Sequence, residues 1–289
     1  MNSAKILVAG ATGTNGRELL RQLSLRRIPV RALARDVNKA AYLASNSVEL
    51  VEGDLADAES LTTALGGIEK AFIVTAVHPD TTKRFENFFN SAIKAGVQHV
   101  VKFSGLSASK ESPSIILRQH GESDELLVQS GLAYTLLRPN SFFQNMLWQT
   151  KSIADTGEFS LPFGDAKQSM VDVRDLAAAA VRVLTESGHE DKTYNLTGPD
   201  SLSYFDVAGI LSRVAGKEIV YAPVSTDQAL KTMLESGLPQ WDAQALCEIQ
   251  AYFAMGHHSM VTDDLTNLLG RPATRFEQFA QDFGRSFSR

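Results

Sequence analysis

Apolar residues in this chain come in short unbroken runs, each followed by a helical or polar stretch. Residues 6–9, 30–34, 48–51, 71–75, 99–103 and 134–137 read as six strands. Helices are predicted between them over 17–25, 38–44, 59–65, 82–95 and 121–130. The strand runs lack polar alternation, which is the pattern of strands covered on both faces in a parallel sheet. The repeated strand–helix rhythm predicts a doubly wound α/β fold. After Pro139 the rhythm changes. Residues 140–156 are aromatic and helical in pattern, and 157–166 read as a loop carrying Gly157, Pro162 and Gly164. A helix follows over 173–185 with Asp172 as its cap, then a strand at 193–196, a helix from Ser203 to Val214 and a short strand at 218–221. The end is mostly helical. No low-complexity linker or internal repeat interrupts the chain.

Length and composition narrow the classes. A chain of 289 residues has enough sequence for a large core, in one large domain or two smaller ones. The formal net charge of -5 provides no global basic field for nucleic acid or an anionic membrane. A single cysteine, Cys247, rules out an internal disulfide framework. No apolar run approaches the ~20 residues that span a bilayer, and the start of the chain has no signal-peptide pattern. A cytoplasmic protein is expected.

Chemistry first becomes legible at Gly10-Ala-Thr-Gly-Thr-Asn-Gly16, which joins the first strand to the first helix. A helix N-terminus presents unpaired N–H groups and the positive end of its dipole, and so attracts a phosphate. Gly10 suits a tight turn, Gly13 a close approach of the phosphate, and Gly16 close helix–strand packing. Thr12, Thr14 and Asn15 can add side-chain hydrogen bonds. In this context the motif predicts a dinucleotide-binding unit rather than an incidental glycine turn.

The spacing is GxxGxxG, and here the sequence resembles the NmrA-like group of atypical short-chain dehydrogenase/reductases. Further resemblance is carried by "DLADAESLTTALGGIEKAFIV", "GVQHVVKFSG", "SGLAYTLLRPNSFFQNML", "VDVRDLAAAAVRVL" and "YNLTGPDSLSYFDVAGILSRVAGKEI". It implies a Rossmann-like sheet with a smaller, mostly helical C-terminal substrate lobe. The expected division gives residues 1–155, with 167–200 returning to them, to NAD(P) binding, and 156–166 with 201–289 to the substrate.

The second strand ends in Arg35, 22 positions after Gly13, where NAD-preferring sites place an acidic residue. A guanidinium there pairs with a ribose 2′-phosphate. Lys39 adds a second charge, while Asp36 offers itself as a ribose ligand instead. NADP(H) is therefore expected over NAD(H). The resemblance places Asp54 and Leu55 beside the adenine; the alternative for Asp54 is a helix cap. Thr75, Ala76 and Val77 close the fourth strand at the crevice. The resemblance also implies that Phe103, Pro139, Asn140 and Phe142 border the nicotinamide.

Ser104 resembles the serine with which reductases of this superfamily polarise a carbonyl. The Tyr-x-x-x-Lys dyad that should accompany it is missing: the tyrosine position falls on Ile116 and the lysine position on His120. As the lysine equivalent, His120 either contacts the nicotinamide ribose or acts as an acid near neutral pH; the alternative is a surface histidine at a helix start. Phe143, Asn145, Met146, Trp148 and Phe163 form a local aromatic and polar group. They either pack the second lobe or line a pocket that sandwiches a flat ring. Trp241, Tyr252 and Phe253 are candidates for a lid or a homodimer contact. His257 and His258 are adjacent and point apart, so no metal site is expected.

Two functions follow from the resemblance. The first is an NADP(H)-dependent oxidoreductase passing hydride to a small quinone-like or conjugated aromatic acceptor, whose delocalised product needs little enzymic acid. The second is a non-catalytic dinucleotide-binding redox sensor or regulator. An epimerase, lyase or oxygenase-like activity on the same scaffold is a weaker third. No nucleic-acid or membrane partner is expected.

Overall fold

The computed structural model describes residues 4–287. In chain order the first half contains β1 (Ile6–Ala9), α1 (Thr14–Leu25), β2 (Val30–Ala34), β3 (Val48–Glu52), α2 (Ala58–Ala64), β4 (Lys70–Ile73), α3 (Thr81–Ala95), β5 (His99–Phe103), α4 (Ile115–Gln129) and β6 (Ala133–Pro139). The second half contains α5 (Thr150–Thr156), β7 (Glu158–Phe159), α6 (Val173–Thr185), β8 (Lys192–Leu196), α7 (Tyr204–Ala215) and β9 (Val220–Tyr221). It ends in α8 (Thr226–Glu235), α9 (Gln240–Ala254), α10 (Asp264–Leu269), α11 (Phe276–Asp282) and α12 (Gly284–Phe287). Two compact units result. One takes the residues up to 111, with 118–138 and 176–194; the other takes 112–117, 139–175 and the chain from 195 onward.

The larger sheet has seven strands in the order β3-β2-β1-β4-β5-β6-β8. Its pairings β3·β2, β2·β1, β1·β4, β4·β5 and β5·β6 are parallel. Strands β1 and β5 are buried along their whole length, as expected of strands covered on both faces. Helix α3 places Phe85, Phe88, Phe89 and Ala92 on one face, three and four residues apart, against Ile73, Val100 and Leu136 in the core of the first unit. Gly96 ends this helix in the left-handed region at φ 76°. The order reverses between β1 and β4, so the carboxyl edge of these strands is a topological switch point.

The second unit has its own core, largely aromatic. Phe159 stacks on Tyr221 with ring centroids 5.3 Å apart, and Phe163 lies nearly flat on Tyr204 at 4.9 Å. Phe143 meets Phe276 edge-on at 5.1 Å. Each fully buried large apolar side chain contributes about 1.5–3 kcal/mol. Strands β7 and β9 form a separate two-stranded parallel sheet. Helix α7 begins in a capping box, with Ser203 accepting from the Asp206 amide and the Asp206 carboxylate accepting from Ser203.

Three differences from the sequence expectations have local causes. The helix expected over 38–44 is only a 3₁₀ turn, Ala41–Leu43, because Asp36 Oδ1 accepts from the Asn38 and Lys39 amides and closes a turn instead. The expected loop over 157–166 includes β7, because Phe159 is drawn into the aromatic core. Helix α4 starts at residue 115, well before Gly121. That glycine sits inside the helix because a Cβ there would lie 2.3 Å from the Ser109 carbonyl carbon and 2.5 Å from the Lys110 nitrogen.

Two buried histidines set a pH dependence. His258 is fully enclosed, with Phe253 3.9 Å from its ring, and burial followed by the neighbouring His257 pushes its pKa down to about 4. His99 is also buried; burial and then Lys70 lower its pKa. Both bind a proton less readily folded than unfolded, so they favour folding above the ordinary histidine range. For His258 that contribution is lost as pH falls from about 6.5 toward 4, at up to about 1.4 kcal/mol per pH unit, and His99 acts in the same direction. Urea melts between pH 7 and 4.5 should show this decline, and His258→Phe should make it shallower. A pH-independent midpoint over that range would contradict the assignment.

Candidate active site

The glycine turn separates into positions the protein itself requires and one it does not. Gly10 lies at φ 81°, and a Cβ there would meet the Val74 carbonyl oxygen at 2.3 Å. A Cβ on Gly16 would meet the Gly10 oxygen at 2.2 Å and the Ala11 Cα at 2.8 Å. Gly13, at φ −78°, has an ordinary backbone, and its Cβ would touch only the Gly10 oxygen at 3.4 Å. Nothing inside the chain forbids a side chain at Gly13, so its bareness points outward. Helix α1 has no side-chain cap and no acidic residue in its first turn. Helices α2, α7 and α8, by contrast, are capped by Asp57, Ser203 and Ser225. Thr12, Gly13 and Thr14 are exposed, and Asn15 Oδ1 is buried without a hydrogen-bond partner. An uncapped helix start with a bare approach and an orphaned acceptor fits a phosphate and a neighbouring hydroxyl.

The end of β2 separates its two candidates. Arg35 is exposed and has no side-chain partner among the described residues. Asp36 is committed to the turn described above, and its other oxygen lies 3.5 Å from Lys39 Nζ. Asp54 Oδ1 accepts from the Ala56 amide at 2.9 Å, while the cap of α2 is Asp57. The capping alternative for Asp54 is thereby corrected. The Leu55 carbonyl accepts from Asn87 Nδ2. Strand β4 stops at Ile73, so Thr75, Ala76 and Val77 lie in the loop beyond it, the last two exposed. His78 braces this loop: Nδ1 accepts from the Asp80 amide and Nε2 faces Arg84 at 3.0 Å.

At the carboxyl end of β5 lies a cluster built around Asp124. The Lys102 ammonium is wholly buried, 2.6 Å from Asp124 Oδ1 and 4.4 Å from the centre of the Phe85 ring. Arg138, at the end of β6, donates to Asp124 Oδ2 from Nε at 3.0 Å and from Nη2 at 2.8 Å. Ser104 Oγ donates to the same oxygen at 2.9 Å. Burial alone would raise the Asp124 carboxyl, but Lys102 and then Arg138 hold it below the usual range. Burial lowers the Lys102 ammonium, and Asp124 offsets part of that loss. Removing one member of such a pair strands a buried charge and costs about 3–5 kcal/mol.

His120 lies beside this cluster, with Nδ1 3.4 Å from Lys102 Nζ. Burial, and then the positive charge of Lys102, pushes its pKa down to about 3. It is neutral at physiological pH. The acid expected there is corrected: an ammonium next door disfavours a second positive charge. Ile116, in the expected tyrosine position, is buried in the first turn of α4. Phe103 is also buried, its ring 5.7 Å from that of Phe72.

In the second unit Pro139 and Asn140 are buried. The Asn140 amide N–H donates to the Leu196 carbonyl. Its Nδ2 donates to Ser169 Oγ at 2.8 Å and the His258 carbonyl at 2.9 Å, while Oδ1 accepts from the Ser141 amide. The Asn140 side chain thus ties protein segments together. Phe143, Met146 and Phe163 belong to the aromatic core. Phe142 and Asn145 keep partial exposure, and Trp148 is 77% exposed. The packing alternative therefore describes Phe143, Met146 and Phe163. Among the described residues no group of three or more His, Cys, Asp and Glu side chains is placed to hold a metal ion, and no helix is long and apolar enough to cross a membrane.

Sequence reasoning missed Lys102, Asp124 and Arg138 as a unit. The available signal was Lys102 itself, a charge inside an apolar strand run. A cavity of about 250 Å³ borders the cluster, lined by Ser109, Lys110, Asp124, Glu125 and Arg138.

Comparison with known proteins gives a consistent picture. The chain is 39% identical to an NAD(P)H azoreductase of Xenophilus azovorans over 282 residues, covering 98% of this chain and 99% of that protein. It superposes on the NADPH-dependent quinone oxidoreductase 2 of Escherichia coli, solved with NADPH, at a TM-score of 0.87 and 29% identity, covering 96% of this chain and 99% of the other. The Citrobacter sp. triphenylmethane reductase complexed with NADP(H) superposes at 0.85 with 30% identity, covering 96% and 99%. The model of the NmrA-like family matches residues 2–277. With its parallel sheet and its uncapped glycine turn, the chain belongs to the NmrA-like family.

Proposed function

We propose that this protein is an NADP(H)-dependent reductase whose acceptor is a small quinone-like or conjugated aromatic molecule. The observation that carries this reading is the division of labour at Arg35 and Asp36. The acidic residue that would hold a ribose 2′-hydroxyl is locked in a turn, and the neighbouring guanidinium is left without a partner. Relatives named as azo-dye, quinone and triphenylmethane reductases support the acceptor class. The bound dinucleotide supplies hydride.

The chain supplies binding and orientation. Gly13 and the free amides of the first turn of α1 receive the pyrophosphate, and Arg35, with Lys39 beside it, receives the 2′-phosphate. Asp54, whose other oxygen has no partner among the described residues, would take the adenine amino group. Among the described residues, the reacting end holds no proton donor of the usual kind. His120 is neutral, and the Ser104 proton is committed to Asp124. Water therefore protonates the product, which suits acceptors whose reduced anion is delocalised and poorly suits simple ketones.

NADPH consumption should be rapid with naphthoquinones or azo dyes and negligible with unactivated ketones. Tight NADPH binding without turnover on any acceptor would instead favour a dinucleotide-binding regulator. Arg35→Ala should weaken NADPH by about 10- to 100-fold, the loss of a charge-assisted contact, and leave NADH nearly unchanged. Equal losses for both coenzymes would remove Arg35 from the phosphate site. Gly13→Ala should leave the melting midpoint unchanged but weaken both coenzymes, whereas Gly16→Ala should destabilise the fold itself. Calorimetry paired with thermal melts separates these two outcomes.

A further inference from the structure

We propose that Ser104 meets its ligand as a hydrogen-bond acceptor, and that Asp124 is the positioning residue that fixes this polarity. A hydroxyl has one proton and two lone pairs. The Asp124 carboxylate stands between an ammonium and a guanidinium, both of which can only donate. It is ionised and can only accept. The Ser104 hydroxyl, 2.9 Å from Oδ2, must give its proton to it. The Ser104 amide donates to the Leu137 carbonyl at 2.8 Å, which holds the residue at this strand end. Turning the proton outward would leave a buried oxygen pair facing each other with no hydrogen between them.

Ser104 directly follows β5, at the same carboxyl edge of the sheet as the glycine turn after β1. Whatever group comes against it there finds lone pairs. A carbonyl or ether oxygen is repelled; an N–H or O–H is received. This reverses the role expected of a serine at this position, which is to donate to a carbonyl. It rests on the reductase reading and adds a specificity rule to it: the group facing Ser104 is a hydrogen-bond donor. That donor comes either from a hydroxyl or amide of the dinucleotide or from a hydroxyl or amine on the aromatic acceptor.

Binding of redox-inert probes tests this without turnover. Calorimetry on NADP⁺-saturated protein compares 1-naphthol with 1-methoxynaphthalene, which differ in a single O–H. A second titration measures NADP⁺ itself. If the acceptor supplies the donor, wild type and Ser104→Thr should favour naphthol by about five- to tenfold, the worth of one hydrogen bond, and Ser104→Ala should erase that preference. If the dinucleotide supplies it, Ser104→Ala should weaken NADP⁺ by a similar factor and Ser104→Thr should restore it. Asp124→Asn can offer an N–H to the hydroxyl and release its proton, so the affected preference should fall or invert. The proposal is overturned if Ser104→Ala changes neither quantity, or if wild type favours the ether in a way that Ser104→Ala removes. NADPH turnover on quinones is measured separately, so failure of the reductase reading leaves a different signature.

Discussion

A single carboxylate organises the carboxyl ends of β5 and β6 in the first unit. Asp124 projects from α4 and takes hydrogen bonds from β5, through Lys102 and Ser104, and from β6, through Arg138. Burying an ion pair is costly, and its attraction repays that cost only when the geometry is close and every lone pair is used. Here four donors converge on two oxygens. The consequence is orientation: neighbouring strand ends and the helix over them are locked in one register, with the serine hydroxyl pointing a fixed way. Burial, and then the positive charge of Lys102 beside it, keep His120 neutral.

The glycine turn after β1 works by omission. Gly10 and Gly16 are bare because the chain crosses itself there, and α1 starts without the side-chain cap that three other helices possess. Leaving donors unpaired is tolerable only where solvent or a ligand satisfies them. Arg35 follows the same logic, as an exposed charge with no side-chain partner among the described residues.

How much of this could be read beforehand varied with the physics of each position. Strands β1, β2 and β5 were legible to the residue, because burial on both faces leaves runs that are mostly apolar and lack polar alternation. The glycine turn and Arg35 were legible because spacing and strand order suffice to place them. The start of α4 was not, since Gly121 looks like a breaker and its need for close backbone approach is visible only in three dimensions. Asp124 sits in "GESDELLVQ" among other charges, and nothing in that string says that this one faces inward. The aromatics from 142 to 163 were ambiguous for a deeper reason. A ring that lines a pocket and a ring that fills a core have the same hydropathy, and only the partners of Phe143 and Phe163 distinguish them.

The clamp on Asp124 is lopsided. Lys102 is sealed from water, while the Arg138 side chain keeps about a quarter of its surface open beside the cavity that borders the cluster. Dissolved ions can therefore crowd one grip and never reach the other. As ionic strength rises, screening weakens the guanidinium's hold and leaves the ammonium's intact. The carboxylate then leans on its inner partner, and the serine proton stays where it was.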